Sequence, residues 1–317
     1  MSQAATASNS EKKPRSKWIW LKRIVTIGFF ILVPVLLYTL VKNLDWQEVK
    51  QALTSYKPTT LLLVGLIALV SYLVFSSYDL VAKRYTGHSV PSRQVLPLAF
   101  VCYAFTLNLS SWVGGVGLRY RLYSKLGLEV STITRILSLC LITNWLGYLF
   151  VAGVVFTMGL PALPASVEIG ATGLRLIGVA ILLVGVGYLL ACAFSKRRTF
   201  HIRQQEITLP TLRMALLQAG LGALNWSLMA LLIYLLLPDK VGYPTILAVL
   251  LISSIAGVIT HIPAGLGVLE TIFITLLQGQ YSKGTLLAAL IAYRALYFLM
   301  PLAIAFVVYL VLERRAR

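Results

Sequence analysis

The stretch Ile262-Pro-Ala-Gly-Leu-Gly-Val-Leu-Glu270 interrupts an apolar run with two glycines and closes on an acid. An earlier stretch, Trp112-Val-Gly-Gly-Val-Gly-Leu-Arg119, repeats the glycine spacing. Gly115 and Gly117 fall on Gly265 and Gly267 at a single offset of 150 residues. The same offset places Asn144 on Arg294, each inside an apolar segment. An offset of 152 places Pro58-Thr59 on Pro210-Thr211, each just before a long apolar run. Three matches in the same order predict an internal duplication. In a membrane protein, duplicated halves with interrupted helices point to a transport site between them.

The composition sets the class. The chain is 58% hydrophobic and only 12% charged, with a mean hydropathy of +0.84. Apolar runs at 24–41, 60–81, 134–157, 174–194, 211–237 and 285–312 reach the length needed to cross a bilayer. Two more, at 95–112 and 245–262, each run into a glycine loop. A net charge of +18 raises the question of nucleic acid. The distribution answers it, because the basic residues sit in short blocks between apolar runs, at Lys12–Arg23, Lys83–Arg93, Lys196–Arg203 and Arg314–Arg317. That is the positive-inside pattern, not a nucleic-acid groove. Cys102, Cys140 and Cys192 lie inside apolar segments without metal-ligand spacing and read as small hydrophobes.

The charges also give a topology. The polar tail 1–17 reads as a disordered basic cytoplasmic segment, and 18–317 as a single transmembrane domain. A single crossing by 95–130 would strand Arg119, Arg121, Lys125 and Arg135 outside. A re-entrant hairpin turning at Gly114–Gly117 keeps them inside. The expected fold is all-α, with six full spans and two re-entrant helical hairpins. Repeat one covers about 58–157 and repeat two about 210–312. The repeats start on opposite sides of the membrane, so they are inverted, and both termini are cytoplasmic.

The candidate site follows from the loops. A glycine loop that opens a helix exposes N–H groups at a positive dipole end, a ready anion site. Gly114, Gly115 and Gly117 precede one short helix, and Pro263, Gly265 and Gly267 another. The same glycines also suit close helix packing. Arg119 and Arg121 offer planar guanidinium groups for a phosphate, although their spacing puts them on different helix faces. Snorkelling to headgroups is their alternative role. Arg294 lies well inside an apolar run, where a charge pairs or lines a cavity. Glu270 is its expected partner. Asp79 is expected to pair with Lys83 one helical turn on. Asn108, Asn144 and Asn225 suit either a ligand or cross-helix bonds, and His261 suits a loop carbonyl or a proton. No arrangement supplies a nucleophile, a base and an orienter together, so no enzymatic activity and no cofactor or metal are expected.

The stretches Asn108–Tyr123, Thr143–Tyr148 and Ser253–Glu270 resemble the flippase-like transmembrane domain family typified by the membrane domain of lysylphosphatidylglycerol synthase. Pro263–Glu270 is that family's most recognisable element. The resemblance covers nearly all the chain beyond the tail. It implies a multi-pass protein of a Gram-negative inner membrane that handles phospholipids or other lipid-linked phosphates. Arg317 follows the last apolar run by five residues, so the soluble synthase domain of bifunctional relatives is not expected. The resulting expectation is a flippase that moves an anionic phospholipid, such as phosphatidylglycerol or cardiolipin, by alternating access. The alternative is a non-transporting membrane partner that binds anionic lipid or a lipid-modifying enzyme.

Overall fold

A computed structural model describes residues 54–109, 115–161, 170–195, 199–202, 205–260 and 265–315, with Gln47, Lys50 and Gln51. The predicted tail 1–17, the predicted span 24–41, Gly114, His261 and Pro263 lie outside the described residues. The described residues belong to one compact unit, Leu44–Arg317.

The chain order is α1 (Pro58–Thr86), α2 (Ser92–Asn108), α3 (Leu118–Lys125), α4 (Val130–Thr157) and α5 (Gly170–Phe194). A hairpin of β1 (Thr199–Ile202) and β2 (Gln205–Thr208) follows. Then come α6 (Leu212–Leu236), α7 (Tyr243–Thr260), α8 (Val268–Leu277) and α9 (Lys283–Tyr293). A π-helical turn (Arg294–Leu299) joins α9 to α10 (Met300–Arg315). The strands pair antiparallel, Thr199 opposite Thr208 and Ile202 opposite Gln205. This short hairpin is a local addition to a fold that is otherwise all-α, as expected. The basic block there dominated the sequence signal and hid two four-residue strands.

Local chemistry sets the helix ends. Pro58 opens α1 at a position that needs no N–H. Gly87, at φ 69°, closes it in the left-handed conformation, with its N–H donated to the Lys83 carbonyl. The Thr211 hydroxyl caps α6 by accepting the Met214 N–H, and Ser282 caps α9 by accepting the Thr285 N–H.

Among the described residues, six helical segments are long and apolar enough to cross a membrane: α1, α4, α5, α6, α7 and the rod Lys283–Arg314. Five coincide with predicted spans. The sixth, α7, was expected as a hairpin limb, and its 18 residues are long enough for a crossing of its own. The run predicted as one helix over 285–312 is instead two α-helices phased by the π turn.

The outward faces are apolar as well. Only 17% of the apolar window of α5 is buried, and Leu176, Leu183, Val184 and Phe194 stand exposed along it. An apolar face of that length suits acyl chains, not water.

The core forms around α4, which packs on α1, α5 and α6. Small residues make the crossings tight, as expected where lipid tails compete with side chains for helix faces. A Cβ placed on Gly147 would stand 2.1 Å from the Gly222 carbonyl carbon of α6. One placed on Gly178 of α5 would stand 2.5 Å from the Thr157 nitrogen of α4.

Candidate functional site: two glycine loops and their ion pairs

At the second loop, Gly265 and Gly267 have φ of 57° and 79°, a left-handed backbone in which any Cβ is strained. The turn delivers Glu270 to the first turn of α8. Its Oε2 accepts the Gly267 N–H at 2.9 Å, placing a carboxylate at the positive helix end. Arg294, from the π turn, grips the same carboxylate with two prongs. Nε donates to Oε1 at 2.6 Å, and Nη2 donates to Oε2 at 3.0 Å. Nη2 also donates to the Gly265 carbonyl at 3.1 Å. The side chains are 7% and 18% exposed, and the guanidinium faces the Phe298 ring at 5.6 Å. The expected pairing of Glu270 with Arg294 is therefore present. The anion position at the start of α8 is filled by the protein's own carboxylate.

The first loop differs. Gly115 and Gly117 have no left-handed φ; Gly117 sits at −58°, in helical conformation. Glycine at 115 serves close approach, since a Cβ there would meet the Thr106 hydroxyl of α2 at 3.2 Å. The loop leads into Arg119, 4% exposed, whose Nη2 donates to Asp79 Oδ2 at 2.7 Å. Tyr123 donates its hydroxyl to Asp79 Oδ1 at 2.9 Å, and Cys140 its thiol to Oδ2 at 3.4 Å. Asp79 is fully buried. This corrects the expected Asp79–Lys83 pair: Asp79 faces the core, while the Lys83 ammonium lies 3.5 Å from the Ser92 hydroxyl. Arg121 points elsewhere, as the two-residue spacing requires. Its Nη2 donates to Glu313 of α10 at 3.0 Å, and Lys125 joins the same carboxylate.

A polar seam runs through the apolar interior between the loops. Asn108, at the end of α2, donates Nδ2 to the Phe298 carbonyl in the π turn at 3.2 Å. The Tyr72 hydroxyl donates to the Tyr297 carbonyl at 2.9 Å. The Tyr297 hydroxyl lies 2.8 Å from that of Tyr103 and 3.1 Å from that of Ser71. Ser71 donates in turn to Asn225 Oδ1 at 2.8 Å. The structure thus gathers Asn108, Gly265, Gly267, Glu270 and Arg294 around the π turn. Arg119 and Arg121 are held by other carboxylates. Asn144 sits half-buried on α4, where its carbonyl accepts the Trp226 indole N–H of α6. The sequence reading missed Tyr297, Tyr103, Ser71 and Glu313. Asn108 and Asn225, polar groups beside or inside apolar runs, marked this seam in advance.

The sequence matches the family described as the lysylphosphatidylglycerol synthase TM region over residues 23–305. The chain belongs to that family. It is similar to the inner membrane protein YbhN of Escherichia coli (strain K12), with 49% identity over 306 residues covering 96% of each chain. It is also similar to the uncharacterized protein slr0712 of Synechocystis sp., with 30% identity over 263 residues, covering 82% of this chain and 81% of the relative. The family match spans both loops, both ion pairs up to Arg294, and the seam between them. It stops before Glu313, so the Arg121–Glu313 contact reaches beyond the matched region.

Proposed function

We propose that this protein is an inner-membrane transporter of the flippase type. Its substrate is an anionic phospholipid, such as phosphatidylglycerol or cardiolipin, or another lipid-linked phosphate. It moves the lipid without chemical change and without a cofactor. The observation that carries the reading is the Arg294–Glu270 fork at the second glycine loop. A guanidinium held in bidentate fashion by a carboxylate presents the same two-pronged face to a phosphate. The phosphate would displace Glu270 from Arg294 and from the Gly267 N–H, and Glu270 would return when the site empties. Binding then exchanges one anion for another and releases the loop, which gives substrate a differential grip on two states.

The element order supports two related halves. The series α1, α2, α3, α4 is matched by α6, α7, α8 and the α9–α10 rod, with a glycine pair just before the third helix of the first series and of the second. We read these as inverted repeats with re-entrant hairpins, rocking about the polar seam, with both termini in the cytoplasm.

The test is transport of headgroup-labelled phosphatidylglycerol and cardiolipin in liposomes holding the purified protein. Arg294→Ala and Glu270→Gln are each expected to slow movement roughly tenfold or more. Unchanged transport in both variants would refute the assignment of the site.

A second reading is a non-transporting partner that binds anionic lipid or a lipid-modifying enzyme. It is favoured by the sealed Asp79–Arg119 pair, which ties the first hairpin to α1. Absence of movement in wild type, together with a stoichiometric protein on co-purification, would select it.

A further inference from the structure

A cavity of about 680 Å³ opens between the end of α1, the turn into α2 and the first half of α6. Its walls differ in chemistry. Leu217 and Leu221 of α6 form an apolar wall with Leu80 and Val81 of α1, while Lys83, Arg84, His88 and Ser92 bring polar groups to the rest. No Asp or Glu is among the lining residues. The nearby carboxylate, Asp79, is already held by Arg119 and Tyr123.

His88 is the odd member. Both ring nitrogens are shielded from solvent and have no hydrogen-bond partner among the described residues. The ring itself is half-buried, and shielded nitrogens without partners are costly unless a ligand meets them. Burial, then the neighbouring Lys83, push its pKa below the usual histidine range. The ring is therefore neutral near pH 7, with one nitrogen donating and one accepting. One side of the cavity is tethered. The Tyr85 hydroxyl accepts the Thr208 N–H at 3.1 Å, tying α1 to the strand that leads into α6. The volume falls in the range of small-molecule pockets.

We propose that this cavity is a phosphate-ester site, distinct from the Arg294–Glu270 fork. The phosphate oxygens are received by Lys83, Arg84 and Ser92, and by the His88 N–H once the ring turns it into the cavity, and any carbon chain lies along Leu217 and Leu221. Two cations with no carboxylate select an anion. A hydroxyl and an imidazole add directional donors that a bulk counterion does not need. The apolar wall admits a lipid-borne phosphate, and the polar end alone admits a free phosphate ester. The proposal stands whether or not the protein transports lipid.

The experiment measures binding to the purified full chain in neutral detergent. The probes are dihexanoyl phosphatidylglycerol, dihexanoyl phosphatidylcholine and glycerol 3-phosphate. The Lys83→Gln/Arg84→Gln double variant is expected to weaken the anionic probe about tenfold or more. His88→Gln is expected to weaken it severalfold, and Gly187→Ala, with no atom near its added Cβ, to leave it unchanged. Binding is also expected to fall as salt rises. Saturation by phosphatidylglycerol but not glycerol phosphate assigns the site to lipid. Saturation by glycerol phosphate assigns it to free esters. Unchanged affinity in a monodisperse double variant overturns the proposal. Should that variant fail to fold, unchanged affinity in His88→Gln does the same.

Discussion

Replacing Asp79 with alanine strips Arg119 of its counter-ion in a place water does not reach. The wild-type carboxylate is fully buried and the arginine side chain is 5% exposed. Three bonds vanish with it, from Arg119 at 2.7 Å, from Tyr123 at 2.9 Å and, more weakly, from the Cys140 thiol at 3.4 Å. Hydrogen bonds to a charged group contribute about 1.5–3 kcal/mol each. Breaking a buried pair from one side costs about 3–5 kcal/mol, much of it for the stranded charge. The two estimates overlap, so a loss of about 4 kcal/mol is expected. That corresponds to a fall in apparent melting temperature on the order of 10 °C. The assay is thermal unfolding of the detergent-purified protein, followed by the surviving monodisperse fraction at a fixed heating rate. The companion variant is Asp79→Ala/Arg119→Met, which removes both charges and keeps an unbranched chain. Because the stranded charge dominates the cost, the double variant is expected to recover at least half the loss. A single variant as stable as wild type, or a double variant whose loss is the sum of the singles, would refute the reasoning.

Gly147→Val is expected to lower stability by about 1–3 kcal/mol or to prevent folding, because its Cβ meets Gly222 backbone and not a movable side chain. Gly187→Ala, with no atom near its added Cβ, is the neutral control in the same melting assay. Tyr297→Phe loses the contacts to Ser71 and Tyr103 and is expected to cost about 1–2 kcal/mol. His88 gives a pH dependence. Its pKa is lowered in the folded protein by burial and Lys83, opposed by Asp79, with the Tyr123 ring at its edge. The unfolded chain binds the proton more readily. This contribution is therefore complete above about pH 6.5 and is lost as pH falls towards the folded value. The melting temperature of His88→Phe is expected to vary less than that of wild type between pH 7.5 and 5.

The membrane class was legible because a water-soluble chain has little use for so many long apolar runs. Arg294 was legible for the same reason, as a charge with no local excuse. Glu270 followed because it is the acid that closes the second glycine loop. Asp79 was misassigned because Lys83, a turn away, offered a cheap local answer. Its true partner, Arg119, lies 40 residues on, a separation that spacing rules do not reach. The glycine loops looked equivalent, yet Gly265 and Gly267 use left-handed backbone while Gly115 and Gly117 do not. Sequence gives glycine's presence and not whether conformation or close approach requires it. The seam through Tyr103, Ser71 and Tyr297 was illegible because tyrosine and serine suit an apolar helix with or without a partner. The π turn was hidden inside an unbroken apolar run.

That turn sets the phase of a shaft. A helix advances about 100° per residue, and a π turn holds one residue more than the α-helical path it replaces. Arg294 sits at its start, and Glu313 lies near the end of the same rod. Were the turn to tighten, α10 would rotate by roughly a quarter turn relative to α9. The Glu313 carboxylate would swing away from Arg121 and Lys125 while Arg294 kept its place. The donors from Tyr72 and Asn108 act on the turn's carbonyls like a detent on a crankshaft. They fix the angle at which the two ion pairs, one at the turn and one near the far end of the rod, are engaged together.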